Sequence, residues 1–374
     1  SSDAVTLASD GTCTAKITNP RSFRNIIING AMQVAQRGTS ITAEGYVCDR
    51  WRTAYANLDE APTTTQHALT SSDTGPWAEG FRYSSHIQNG NQTSGAGASD
   101  YLILEYRMES SDIANSGWDY TSASSYVTLS FWVKSSVAQN FYGYLRSNDG
   151  TSQQYAFETG SLSANTWTKI TKTIPGNSNL QFDNNNEAGL DIQVAQFWGT
   201  TYTNNRSLNN WAAFDSNNRN PDNTTTWFTT NDATFELTGI QLEVGDVATD
   251  FEHRSYTDEL LRCYRYYYKI ADGSVNTDSP IHSGVFYGAH NMYGPVQLPM
   301  EMRSTPSLDV VTGTDYYQCY LNGTTDHHDA ISTNNITPTV VTLVATTNLT
   351  GTAGLASWCR TRNTSAYVAL TAEL

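Results

Sequence analysis

The residues best suited to chemistry in this 374-residue chain are aromatic rings that share a face with hydrogen-bonding groups. Segment 126–134 sets Val127, Leu129, Phe131 and Val133 on one parity, and segment 141–147 does the same for Phe141 and Leu145. Alternate side chains of a strand point to opposite faces. Pairing Val133 with Phe141 and Leu129 with Leu145 therefore buries both sets, and a slip of one residue exposes one of them. The other face then carries Thr128, Ser130, Trp132, Tyr142, Tyr144 and Arg146. Asn148-Asp149-Gly150-Thr151 has the composition of a tight turn, which sets Gln153 beside Arg146 and Tyr155 beside Tyr144. Rings with donors and acceptors between them suit a pyranose, whose C–H face packs on an aromatic ring while its hydroxyls seek partners. The same face can equally be covered by a second sheet layer or a neighbouring chain.

Other candidates are sparser. Trp198, Tyr202 and Trp211 lie in or beside the Asn-rich stretch 204–223, a long loop of the kind that often carries function. Rings exposed there would mark a contact; indoles buried beneath the loop are the alternative. In the polar stretch 324–329, Asp326, His327 and His328 are metal-ligand types that three copies of the chain could bring together on an axis, against the plainer reading of an exposed loop. His282 and His290 flank an expected strand and read as ordinary satisfied histidines. No G-x-S-x-G, H-E-x-x-H or phosphate-binding loop occurs. The carboxylate pairs Asp59/Glu60 and Glu105/Glu109 would need a separation of about 5–9 Å to hydrolyse a glycosidic bond, and Glu105 is expected to face water or a turn. The five cysteines are far apart, odd in number and without a C-x-x-C pair, so they read as buried free thiols of a reducing cytoplasm. No cofactor and no metal is expected, and the chain reads as a non-enzyme.

The elements that must position these residues are strands. Only 15 % of residues are charged, and aromatics make up 11 %, which separates the chain from disordered sequences. Thr, Tyr, Val, Phe and Trp favour sheet, and Asn, Gly and Asp favour turns. The net charge of −15 disfavours nucleic acid and anionic bilayers. No apolar run approaches the ~20 residues that span a membrane, so insertion is not expected. The order expected is a connecting segment over 1–23, with one strand at 12–18, a large β-domain over 24–254, a helix over 255–268 and a second β-domain over 269–374. Within the first domain, 26–29 is expected as a strand. Thr234–Val244 slips phase at Gly239, and a bulge there would keep Phe235, Leu237, Ile240, Leu242 and Val244 on one buried face. The helix is expected to bury Leu260, Leu261, Tyr264 and Tyr268, with Ser255 or Thr257 as its cap. Ser1-Ser2-Asp3 opens no signal peptide and carries no initiator Met, so the chain is expected to be the C-terminal part of something longer or a processed form.

Three blocks carry a family resemblance. Asn25-Ile-Ile-Ile-Asn-Gly-Ala-Met-Gln-Val-Ala-Gln-Arg-Gly38 with Asp49-Arg50-Trp51 resembles the opening of carbohydrate-binding-module-like domains in bacteriophage tail-fibre proteins. Leu237-Thr-Gly-Ile-Gln-Leu-Glu-Val-Gly245, with Asp250-Phe-Glu-His-Arg-Ser255 and Cys263-Tyr-Arg-Tyr-Tyr267, resembles their closing strand and junction. Leu298-Pro-Met-Glu-Met-Arg-Ser-Thr-Pro-Ser307 and the final Ala-Glu-Leu resemble their C-terminal domain. The resemblance implies an all-β chain, a jelly-roll sandwich followed by a short helix and a second β-sandwich, assembled as a homotrimer. It implies a receptor-binding adhesin of the virion tail fibre, made in the host bacterial cytoplasm. Its partners would be host cell-surface polysaccharide, lipopolysaccharide or similar, and other virion tail proteins. It brings no fixed binding residues, and the long N-terminal section that docks such fibres is not among these residues, so it is expected either to lie outside them or to be supplied by another protein. A tail polysaccharide depolymerase and a ligand-free virion connector are the rival readings.

Overall fold

The computed structural model describes residues 5–7, 9, 11, 13–15 and 24–374. Val5–Leu7 pairs antiparallel with Cys13–Ala15. The rest of the strand expected at 12–18, and the Cys13 side chain, lie outside the described residues.

Alternating Val, Leu, Ile and Phe positions build eight long strands in two antiparallel sheets. In chain order they are Tyr83–Gln88, Tyr101–Glu109, Tyr126–Ser135, Asn140–Ser147, Gln153–Ser161, Thr168–Pro175, Ala188–Trp198 and Thr234–Val244. Numbered so, one sheet runs 6-3-8-1 and the other 5-4-7-2. That connectivity is a jelly roll, in which consecutive strands cross between two sheets. Short strands extend the edges, among them Arg52–Ala56 and Trp211–Ala213 on the second sheet and Thr63–Ala68 on the first. Between the sheets lie Val127, Leu129, Phe131, Val133, Phe141, Leu145, Tyr155 and Phe157, all buried. Full burial of such a side chain contributes about 1.5–3 kcal/mol.

Two expectations about this region need correction. The third and fourth strands do not form a hairpin. Leu129 stands opposite Leu242 and Lys172, while Leu145 stands opposite Ile192 and Tyr155. Residues 136–139 carry the chain across the sandwich, where Phe141 meets Phe235 at 4.8 Å between ring centroids. Parity dictates which side chains are buried, and pairing across the core satisfies it as well as pairing within a sheet. The fourth and fifth strands do pair, but one residue out of the expected register: Arg146 faces Gln154, and Leu145 faces Tyr155. The Gln153 amide donates to Ser147 Oγ (2.9 Å), closing a wider turn than the two-residue type. The slip turns Tyr155 into the core.

Gly239 has φ +64°, and the pairing with the third strand shifts between Thr238 and Gln241. Phe235, Leu237, Ile240 and Leu242 are all buried as the bulge requires, whereas Val244 is 41 % exposed. Residues 26–29 form no strand. They are bent backbone, with Asn29 at φ +57°, held by Asn25, whose Oδ1 accepts from Ile27 N (3.0 Å) and Leu242 N (3.1 Å).

The helix is Tyr256–Tyr264, capped by Ser255 Oγ, which accepts from Asp258 N at 3.1 Å. It buries Glu259 and Cys263, and Leu260 packs on the first core, while Leu261 is 41 % exposed and Tyr268 lies in the strand beyond the helix, so only part of the expected apolar stripe docks. Glu259 Oε1 accepts from Asn29 N and meets Arg254 Nη1 at 3.5 Å. The helix docks through this ion pair together with Leu260 and Cys263, beside a polar joint. There the Arg50 guanidinium lies 3.4 Å from the centre of the Tyr266 ring and is paired with Glu373, while Arg265 grips Glu109 through two bonds of 2.6 Å.

After the joint, Tyr267–Asp272, Tyr367–Thr371 and Ser307–Val310 form a three-stranded sheet. A seven-stranded sheet has the order Thr324–His328, Tyr317–Leu321, Ala356–Thr361, Pro280–Gly288, Asn291–Gln297, Val340–Thr346, Ala330–Ile336. Phe286, Met292, Tyr317, Cys319, Leu343, Val368 and Leu370 fill the core between them. The chain is an all-β protein of two sandwiches with a short helix between. The stretch 324–329 is not a loop: Thr324–His328 is an edge strand paired with Tyr317–Leu321. Its polar composition suits an edge, where one side faces water.

Candidate functional site

The face expected to bind is split and largely sealed. Trp132 sits on the outside of the other sheet, half-buried, with its indole N–H donating to Glu79 Oε2 (3.0 Å) and Gly75 packed on its ring. Tyr142, Tyr144 and Arg146 do share an outer face. Tyr144, however, is 1 % exposed, its hydroxyl donating to Gln193 Oε1. Gln193 in turn donates to Glu105 Oε2 (3.2 Å), and Arg52 Nη1 donates to the other carboxylate oxygen, Oε1 (2.7 Å). Contrary to expectation Glu105 is buried, as is Glu109 in its bidentate pair with Arg265. Asp191, 3.7 Å from Arg146, is pushed up to about 6 because burial outweighs the nearby arginines. Gln153 and Tyr155 are buried, and Tyr155 packs against Trp211, whose N–H donates to Pro175 O at 2.7 Å.

The long loop explains the sealing. Residues 199–223 fold back over the outer face, bringing Arg219 to 4.2 Å from the Trp198 ring centre and Tyr202 to 5.0 Å. Gln154 donates to Arg219 O, and Arg206 donates to Ala213 O (3.1 Å) and Ala212 O (3.2 Å). Trp198 is thereby 2 % exposed, and Tyr202 is half-buried.

The open aromatic face belongs to the C-terminal seven-stranded sheet. Tyr320 and Trp358 stand opposite each other on adjacent strands, rings stacked at 5.6 Å and 23°. They are 38 % and 41 % exposed. On the same side, Val285 pairs with Tyr293, and Tyr293 lies 5.4 Å from Tyr287, which is 80 % exposed. A polar corner adjoins the ring pair. Arg360 lies 4.0 Å over the Tyr320 ring and donates to its hydroxyl; its other nitrogen reaches Asp278 at 3.3 Å, where Gln318 also donates (3.0 Å). This arrangement offers flat apolar surface bordered by oriented donors and acceptors. Sequence reasoning passed it over. The available signal was Trp358 and Tyr320 on the parity opposite to Cys359 and Cys319.

Of the polar-stretch candidates, His328 is wholly buried, His327 lies 3.8 Å from Asp315, and Asp326 accepts from Thr350 N at 2.6 Å. A cavity of about 300 Å³ opens at the joint between Arg37, Tyr267, Lys269, Asp272, Asp309 and Tyr367. Its groups are already matched: Asp309 accepts from Tyr367 (2.8 Å) and Tyr267 (3.2 Å), and Lys269 meets Asp272 at 2.8 Å.

No protein-family model matches the chain, and no curated protein does. Solved structures similar to parts of it include the enzymatically active domain of bacteriophage CBA120 tailspike protein 4, at 10 % identity and TM-score 0.32 over 59 % of this chain. The match spans only 22 % of that tailspike chain. The N-terminal cellulose-binding domain of Cellulomonas fimi β-1,4-glucanase C matches at 9 % identity and TM-score 0.27, over 57 % of this chain and 97 % of its own. The CBM22-1–CBM22-2 tandem of Paenibacillus barcinonensis Xyn10C matches at 11 % identity and TM-score 0.26, over 94 % and 98 %. Likeness this distant carries no argument about ligand or role.

Proposed function

We propose that the chain is the receptor-binding, distal part of a phage tail fibre, a homotrimeric adhesin that holds host-surface glycan without cleaving it. The observation that carries the binding reading is the solvent-open pair Tyr320 and Trp358, bordered by Arg360. Exposed rings gathered on one sheet face ask for a partner. A pyranose supplies both the C–H surface that the rings take and the hydroxyls that Arg360, Gln318 and Asp278 can bond. Sites of this kind are shallow and individually weak, and several copies acting together supply avidity. Binding rather than hydrolysis is favoured because the buried carboxylates Glu105 and Glu109 are each engaged by arginine.

The test uses the full chain on intact host cells and on an array of host-surface polysaccharides. Trp358→Ala is expected to fold normally and to bind about tenfold more weakly per site, the worth of one ring contact. Unchanged binding by that variant removes this face as the site, and release of reducing ends from the polysaccharide would favour the depolymerase. Val285 and Tyr287 extend the apolar surface, which favours one second reading, burial of this face against another copy of the chain. Solution mass of the wild type and Tyr287→Arg separates the two: self-association through the face predicts dissociation of the variant.

A further inference from the structure

Cys319 and Cys359 are 40 residues apart in sequence but directly opposite each other on neighbouring strands, on the core side of the sheet. His328 joins them from the edge strand. The two thiol sulfurs and one imidazole nitrogen lie within 4.8 Å of one another, and all three residues are fully buried. His328 Nδ1 bonds Ala330 O (3.1 Å). As a carbonyl accepts only, this nitrogen carries the proton, and Nε2 is left with a bare lone pair. Nε2 points at Cys359 Sγ, 3.4 Å away. An N–H donated to a backbone carbonyl is how metal-binding histidines are commonly oriented. The Met292 thioether sulfur is 3.5 Å from Cys319 Sγ, and the Tyr317 ring stacks on His328 at 5.5 Å and 25°.

We propose that Cys319, Cys359 and His328 bind a divalent d¹⁰ cation of the zinc class, with the Met292 sulfur beside the fourth position. Ligand sulfurs around a tetrahedral zinc stand roughly 3.8 Å apart, so the cluster needs little rearrangement to close on an ion. Charge selects the ion. On binding, the two thiols lose their protons to solvent and bind as thiolates, and His328 binds neutral. Two thiolates and one divalent cation sum to zero, which a buried site tolerates; a monovalent ion would leave a net charge in the core. Arg360, the nearest cation in sequence, faces the opposite side of the sheet with Tyr320. Because the ligands are sealed from solvent, the ion is taken up as the strands assemble, and binding energy becomes folding energy. The site also fastens the strands whose outer faces display Tyr320, Trp358 and Arg360, though it stands independently of what that face binds.

The experiment uses the full chain refolded under reducing conditions with zinc, then passed over a weak chelating resin. Metal analysis is expected to find about one zinc per chain, and a strong chelator should remove it and lower Tm. Cobalt in place of zinc should give sulfur-to-cobalt charge transfer and the intense visible bands of tetrahedral geometry. Cys319→Ser should lose these bands, while Cys48→Ser, whose thiol is buried in the other core, should keep them. If Cys319→Ser fails to fold, the wild-type cobalt spectrum decides alone. Less than about 0.2 zinc per wild-type chain, an octahedral cobalt spectrum, or a Cys319–Cys359 disulfide in chain refolded with zinc overturns the proposal.

Discussion

Tyr144 and Trp358 both point outward from an interior strand of a seven-stranded sheet, yet Tyr144 is 1 % exposed and Trp358 41 %. The difference lies in the loops around each ring. Over Tyr144, the 199–223 loop folds back and Gln193 accepts its hydroxyl proton, so the ring is sealed from solvent. Next to Trp358 the stretch 347–355 leads into the strand without covering the ring, and Arg360 covers Tyr320 from one side only. An aromatic ring on an outer face is thus available only where no loop folds back over it. Side-chain composition nominates a binding face, and the course of the neighbouring loops decides whether it stays open.

Four substitutions put this contrast at risk. Tyr144→Ala should cost about 3–5 kcal/mol in denaturant unfolding, as for any sealed ring, while glycan binding per folded molecule stays the same. A stable Tyr144→Ala with lost binding would reverse the assignment of the two faces. Asp191 tests the same sealed face through pH. Burial places its folded value near 6, above the ordinary carboxylate value of the unfolded chain. The folded protein therefore binds the extra proton, and this group adds stability as pH falls from about 6 to 4, on the order of 2 kcal/mol. Asp191→Asn should remove that increment, seen as a flatter Tm between pH 7 and 4.5 than in the wild type; an unchanged profile would show that Asp191 is charged throughout. Arg219→Ala uncovers Trp198 and should cost about 1–2 kcal/mol, with Trp198 becoming oxidisable by a water-soluble reagent. Least of all, Tyr287→Ala should alter stability by about 0.5 kcal/mol or less, because the ring is 80 % exposed.

Much of this architecture is legible in the sequence. The parity slip at Gly239 announces the bulge, Ser255 announces the helix cap, and alternation marks most of the long strands. What parity leaves open is partnership. Val133 and Phe141 bury the same way whether they are neighbours in one sheet or face each other across the sandwich, and only the three-dimensional course of 136–139 distinguishes the two. The one-residue slip between Arg146 and Gln154 depends on Ser147 side-chain bonding, which turn composition does not express. Thr324–His328 escaped as a strand because an edge needs no apolar face. The Cys319–Cys359–His328 cluster escaped for a related reason: cysteines without local spacing become neighbours only through strand pairing. The blocks that carry the family resemblance meet at the joint instead. Arg50 and Arg37 reach Glu373, Asn25 holds Leu242, and Arg303 bonds Ala372 O at 2.7 Å.

That joint has a kinetic consequence. Its ion pairs span 323 residues between Arg50 and Glu373 and 336 between Arg37 and Glu373. Contacts of such sequence separation carry the greatest loop-closure entropy and slow the search for the native state. Each sandwich can condense around its own core while Arg50, 2 % exposed in the finished molecule, still waits for its carboxylate. Docking of the two halves is accordingly expected late in folding, and a chain halted before it would present unmatched charge where the native protein has a seam.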